Sequence, residues 1–298
     1  MTSPKSETDS LKKSFKLLSD SFSFLSLGTG TANSAKYPVI KIPWSISLSE
    51  ISAIFSKVAT PGIDNVAQNI HVMMNKATGK TLSDAYVEVA MDVNVVESIK
   101  KIKRTPIKGR KLFLMESSQG ELMSKLFAGW PGKFKRDGTG ILDHPAGDDL
   151  DPLTVEKSPP SLIQRKEFES LLAVCRNYKL HFSRKCGERP FEHFISLLSK
   201  FPWDQPHIIT TMQRDHLYEY YKQATAILQS HVSKPYTSLD PTLMHRMTRA
   251  ALISPGLTVP QKRGILKAST MECPIDLAHL LEKQLPELHT TTNEECWP

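Results

Sequence analysis

Cysteine is scarce in this chain, with four in 298 residues, at 175, 186, 273 and 296. So few thiols at such irregular spacing fit a reducing compartment with free thiols better than a disulfide framework. Long apolar runs are missing as well. None approaches the roughly 18 residues that a membrane span needs, so no membrane partner is expected. Met1 to Lys36 has no apolar core followed by a small-residue cleavage site, and no secretory leader is expected there. The familiar catalytic signatures are also lacking: no G-x-S-x-G, no P-loop and no H-E-x-x-H. Gly28-Thr29-Gly30 lies in a Ser/Thr-rich stretch without a strand and helix around it, so it is no dinucleotide fingerprint. Cys175, His181, Cys186 and His193 fall close together but lack the tight pairs of a zinc site. A non-catalytic protein without cofactor or metal is therefore expected.

What the chain does have is positive charge and two foldable blocks. The net charge is +7 and the sequence pI about 9.1, which permits an acidic partner. Residues 1–36 are rich in Ser, Thr and Lys without a sustained period and read as a disordered tail. Residues 131–160 concentrate Pro and Gly together with Asp148, Asp149 and Asp151, and read as a linker. Residues 286–298 read as a second tail. Between these lie a first block, 37–118 with an appended helix to about 130, and a second block, 161–285.

In the first block, Tyr37 to Trp44 reads as a strand and Ser49 to Val58 as a helix. Asn69 to Asn75 reads as a strand, Lys76 to Lys80 as a basic turn, and Asp84 to Val89 as a strand. Val93 to Ile102 reads as a helix and Arg110 to Met115 as a last strand. The order β-α-β-β-α-β predicts an α+β sandwich of the ferredoxin-like kind, two helices covering one face of a four-stranded antiparallel sheet with the other face free. The second block carries apolar residues at helical spacing over 162–180, 190–201, 214–232, 241–253 and 275–285, which predicts a separate all-α domain.

Ile42-Pro43-Trp44-Ser45 and Ser83-Asp84-Ala85-Tyr86-Val87-Glu88-Val89, in that topology, resemble segments of an RNA recognition motif. In particular they resemble the quasi-RRM of heterogeneous nuclear ribonucleoproteins of the F and H type. Asp84 stands where an ordinary motif has a stacking aromatic, leaving Tyr86 alone on that strand, and Ile40 stands at the aromatic slot of the first strand. The resemblance implies that single-stranded RNA, typically G-rich, is contacted through loops. Those loops would comprise Lys41, Trp44 and Ser45, then Lys76 and Lys80, then Lys103, Arg104, Lys108, Arg110 and Lys111, with Tyr86 adding a stacking surface. It further implies mRNA processing or splicing control, in the nucleus or alternatively the cytoplasm.

Charge points the same way independently. Residues 100–111 hold seven cations and no acid, a rim that attracts phosphate. Each candidate also has a plainer reading: Trp44 and Tyr86 as core residues, the Lys run as a solvated face. The competing function is a protein-interaction adaptor, with the sheet docking a peptide and the helical block holding a protein partner.

Overall fold

The structure is a computed structural model. It describes residues 22–27, 46–56, 68–90, 106–107, 110–111, 114–142, 159–177, 186–235 and 239–282. The strands are β1 (Phe22–Leu27), β2 (Ile70–Met74), β3 (Thr81–Ala90), β4 (Pro106–Ile107), β5 (Arg110–Lys111), β6 (Leu114–Ser117), β7 (Lys133–Phe134) and β8 (Gly140–Ile141). The helices are α1 (Leu48–Ile54), α2 (Gln119–Leu126), α3 (Arg165–Arg176), α4 (Arg189–Ser199), α5 (Thr211–Val232), α6 (Leu243–Ile253) and α7 (Val259–Ser269), followed by a 3-10 helix, Ile275–Leu281. Among the described residues, helix is the dominant element.

Local chemistry explains the elements near the sheet. Helix α1 starts at a capping box: the Glu50 N–H donates to Ser47 Oγ at 3.1 Å and the Ser47 N–H to Glu50 Oε2 at 2.8 Å. The β2–β3 turn is shaped by Asn75, whose Oδ1 accepts the N–H groups of Ala77 and Thr78 at 3.1 and 2.9 Å. Gly79 closes it at φ +70°, a conformation that a side chain would strain.

One antiparallel sheet has the order β2-β3-β1-β6, and two further sheets, β4-β5 and β7-β8, have two strands each. The register pairs His71 with Tyr86 and Ile70 with Val87. Because side chains alternate across a strand, Ile70, Val72, Ala85, Val87 and Leu114 point one way. With Ile46, Ile51 and Phe55 they form a small apolar core beneath α1. His71, Met73, Tyr86 and Glu88 point the other way, and they too are buried.

That second face overturns the expected fold class. The chain is not an RRM-type α+β sandwich followed by a separate all-α domain. Helix α4 lies on β2, and every residue from Arg189 to Leu198 is buried. Met73, Met74 and Tyr86 belong to the same apolar cluster as Phe127, Trp130, Phe168, Phe194 and Tyr221. A helical block that covers the sheet and shares its core is not a second domain, and the sheet has no free face of the kind expected. The strand beside β3 is also a different one. Phe22–Leu27, from the segment read as a tail, takes that place, while the expected strand at 37–44 and the expected helix at 93–102 lie outside the described residues.

Candidate nucleic-acid interface

The residues expected to meet RNA are distributed by this architecture in three ways. Tyr86 is 1 % exposed, and its hydroxyl donates to Glu121 Oε1 at 3.4 Å. A ring buried in the apolar cluster, with its hydroxyl on α2, cannot stack on a base, so the stacking role is corrected to a core role. Lys76 is half-buried, with Nζ donating to the Leu126 carbonyl at 2.8 Å and to Glu167 Oε1 at 2.9 Å. Its charge is matched inside the protein, which corrects its expected place among the phosphate contacts. Lys80, on the same turn, is exposed. The turn itself rests on α3: a Cβ added at Gly79 would come within 2.6 Å of the Val174 side chain.

Arg110 and Lys111 form β5, which pairs with β4 through Ile107↔Arg110 and Pro106↔Lys111. The second half of the basic tract is therefore two short antiparallel strands, Pro106–Ile107 and Arg110–Lys111. Lys41, Trp44, Ser45, Lys103, Arg104 and Lys108 lie outside the described residues. So does any test of Trp44 as a stacking ring or a core ring.

The most conspicuous polar constellation is one that sequence reading missed, and it sits between β2, β3 and α4. His71 Nε2 lies 2.8 Å from Glu88 Oε1, and His71 Nδ1 lies 2.9 Å from Ser196 Oγ. Lys200 Nζ is 2.6 Å from the same Glu88 oxygen. Gln68 Nε2 donates to Ser196 Oγ at 3.0 Å and to the Glu192 carbonyl at 3.2 Å. Burial pushes the Glu88 carboxyl up, but the Lys200 ammonium and the His71 hydrogen bond outweigh it and hold the group below the ordinary carboxylate range. Burial holds His71 below the ordinary histidine range despite Glu88. With Glu88 ionised, His71 Nε2–H donates to it, and the single Ser196 hydroxyl proton lies within reach of both His71 Nδ1 at 2.9 Å and the Glu192 carbonyl at 3.1 Å.

Serine, histidine and carboxylate in a row resemble a nucleophile and its base. Ser196, however, is 1 % exposed and His71 fully buried, so the relay bonds the sheet to the helix and offers nothing to a substrate. A signal for it was present in β2. Ile70-His71-Val72-Met73-Met74 does not alternate apolar with polar, as a strand wet on one face should.

A second clamp joins the layers nearby. The buried Arg189 guanidinium donates from Nη1 to Glu192 Oε2 and from Nη2 to the Ile46 carbonyl, each at 2.6 Å. Ile46 directly precedes the capping box of α1, so the helical block holds the chain where it enters that helix.

Comparison with known families adds boundaries without a role. Residues 36–130 match the model of a family described as Domain of unknown function (DUF8400), and residues 161–271 match that of Domain of unknown function (DUF8399). No curated protein and no solved structure matches the chain. Among the described residues, no helix is long and apolar enough to cross a membrane.

Proposed function

We propose that this chain is a non-catalytic, single-stranded RNA-binding protein that holds the phosphate backbone at the rim of its sheet, in nuclear mRNA processing. The observation that carries the reading is the basic tract at 100–111. That tract holds seven cations and no acid, and its last two, Arg110 and Lys111, form the strand that pairs with Pro106–Ile107. Clustered cations displace condensed counterions from a nucleic acid, which favours binding at low salt. The covered sheet face supports a rim rather than a platform. It also argues against docking a peptide there, because α4 already occupies that surface. The likeness of Ile42-Pro43-Trp44-Ser45 to a loop-binding quasi-RRM segment supports G-rich single strands as the first sequence to try.

Fluorescence anisotropy of the full chain with G-rich, U-rich and A-rich 12-mers at two salt concentrations tests this. The expected result is binding whose logarithm falls linearly with log salt, by about 0.7 for each phosphate neutralised. Replacing Lys103, Arg104, Lys108 and Lys111 together by Ser should lower that slope by about 3. No binding at low salt, or an unaltered slope in a folded variant, rejects the proposal.

A further inference from the structure

The 3-10 helix Ile275–Leu281 is fixed to the body on two sides, and it turns an apolar row to solvent. Helix α7 gives way at Thr270, whose φ is +53°. The Met271 N–H donates to the Leu266 carbonyl at 3.3 Å, and the chain reverses there. It runs back along α7 until the Leu281 carbonyl accepts from Arg263 Nη2 at 3.1 Å. Toward α6, Asp276 meets the buried Arg249 at 2.7 Å, and Leu277 is buried.

A 3-10 helix has three residues per turn, so side chains at i and i+3 eclipse. Ile275, Ala278 and Leu281 therefore stand in one straight row. Ile275 is 96 % exposed, and the next most exposed large apolar side chain among the described residues, Met212, is at 62 %. Ala278 is exposed and Leu281 half-buried. A lone exposed apolar residue is ordinary, whereas a row of three on an anchored element is a surface suited to burial by a partner. Anchoring also lowers the ordering cost of covering it.

The occupant follows from the symmetry of the row. It has a large apolar side chain at each end and a small one in the middle. An identical row laid antiparallel on it puts Ile275 beside Leu281 of the second copy. It also brings the two Ala278 residues together, where their small side chains allow close approach. Charge agrees with the same arrangement. Glu272 is exposed at the end where α7 stops, and Arg263 is exposed at the opposite end, beside Leu281. Asp276 is matched by Arg249, whereas Glu272 has no ion pair among the described residues. Antiparallel stacking carries Glu272 of each copy to the Arg263 end of the other, which gives two equivalent contacts of opposite charge.

We propose that this row is the centre of a two-fold interface through which two copies of the chain associate. One short row buries less than the roughly 800 Å² per partner of a standard interface, so the dimer is weak, with a dissociation constant of roughly tens of micromolar. Lys267, exposed one turn along α7 from Arg263, meets its own counterpart near the axis and limits the affinity further.

Sedimentation equilibrium of the nuclease-treated full chain, from about 2 to about 200 µM, tests this. The mean mass should rise with concentration from 33.4 kDa toward twice that value. I275D should stay monomeric with an unchanged melting temperature, and so should A278W, which places bulk on the axis. E272R and R263E should each weaken association about tenfold. An equimolar mixture of those two variants should associate better than either alone, because each supplies the charge that the other lacks. A parent chain that stays monomeric to about 200 µM overturns the proposal, as does an I275D variant that associates like the parent. Masses that climb past the dimer overturn the two-fold geometry, since a closed isologous contact stops at two copies. The outcome is independent of RNA binding.

Discussion

The two faces of the sheet are buried by different chemistry. On the face toward α1, Ile70, Val72, Ala85, Val87 and Leu114 meet Ile46, Ile51 and Phe55, hydrocarbon against hydrocarbon. On the face toward α4, His71 and Glu88 meet Ser196 and Lys200 beside Met73 and Tyr86. Apolar contact is non-directional and tolerates small slips between layers. A buried carboxylate has far fewer arrangements that satisfy it, because each oxygen lost from its partner leaves an uncompensated charge. The first face supplies stability, and the second specifies where the helical block docks.

The largest expected effect is therefore on the polar face. Glu88→Ala takes the carboxylate away from the buried His71 and from Lys200 and should cost about 4 kcal/mol, read by chemical denaturation. Glu88→Met combined with Lys200→Met should recover most of that loss, since well-packed apolar groups can replace a buried ion pair. A single Glu88→Ala loss below 1 kcal/mol would show that water reaches the pair and that the contrast between the faces is false. Next in size is Ile51→Ala on the apolar face, at about 3 kcal/mol, because the fully buried Ile51 leaves a cavity.

The same contrast explains which parts of the fold could be read from sequence. Apolar spacing at Phe191, Phe194, Ile195 and Leu198, with Pro190 to start the helix, marked α4 well, and Gly79 marked the turn, whereas Asn75 read as the end of a strand. None of these residues states what the helix covers. Helical periodicity shows that a face is buried, and the identity of the buried partner is a tertiary property. Tyr86 was therefore as readable as a base platform as it was as a core ring. Lys76 looked like any turn lysine because its partner Glu167 is 91 residues away. The β7–β8 hairpin was hidden by its own turn residues, since Pro131, Gly132, Gly138 and Gly140 serve a tight hairpin as readily as a linker. For the candidate site, the 100–111 charge was legible at once.

Acid should separate the faces without any mutation. His193 is 2 % exposed on α4, and neither ring nitrogen has a hydrogen-bond partner. Burial, with Lys76 and His71 nearby, pushes it down to about 3. The unfolded chain takes up the His193 proton near pH 6.5, while the folded chain resists it until about pH 3. Stability is therefore full above pH 6.5 and declines as pH falls through that window, by about 2 kcal/mol at pH 5 from this group alone. His71, also held low, acts in the same direction, and Glu88 adds to the loss below about pH 4.5. Thermal melts from pH 7.5 to 4.5 should show the decline. A stability independent of pH across that range would mean that these histidines are already solvated in the native state.

The smallest expected effect sharpens the comparison where the two layers meet. Ser47 caps α1 locally, and the residue before it, Ile46, gives its carbonyl to Arg189 of the helical block. If the cap and the clamp are independent, Ser47→Ala loses only the capping bond, about 1 kcal/mol, since Arg189 still holds Ile46. If the entry to α1 is set by both together, the loss should grow toward that of Glu88→Ala, and combining Ser47→Ala with Glu192→Gln, which weakens the Arg189 anchor, should depart from additivity by more than about 0.5 kcal/mol. A cap is neutral and exposed to competition from water, whereas the clamp is charged and sealed, so independence is the expected outcome. The double-mutant cycle measures how far the polar face governs the geometry of the apolar one.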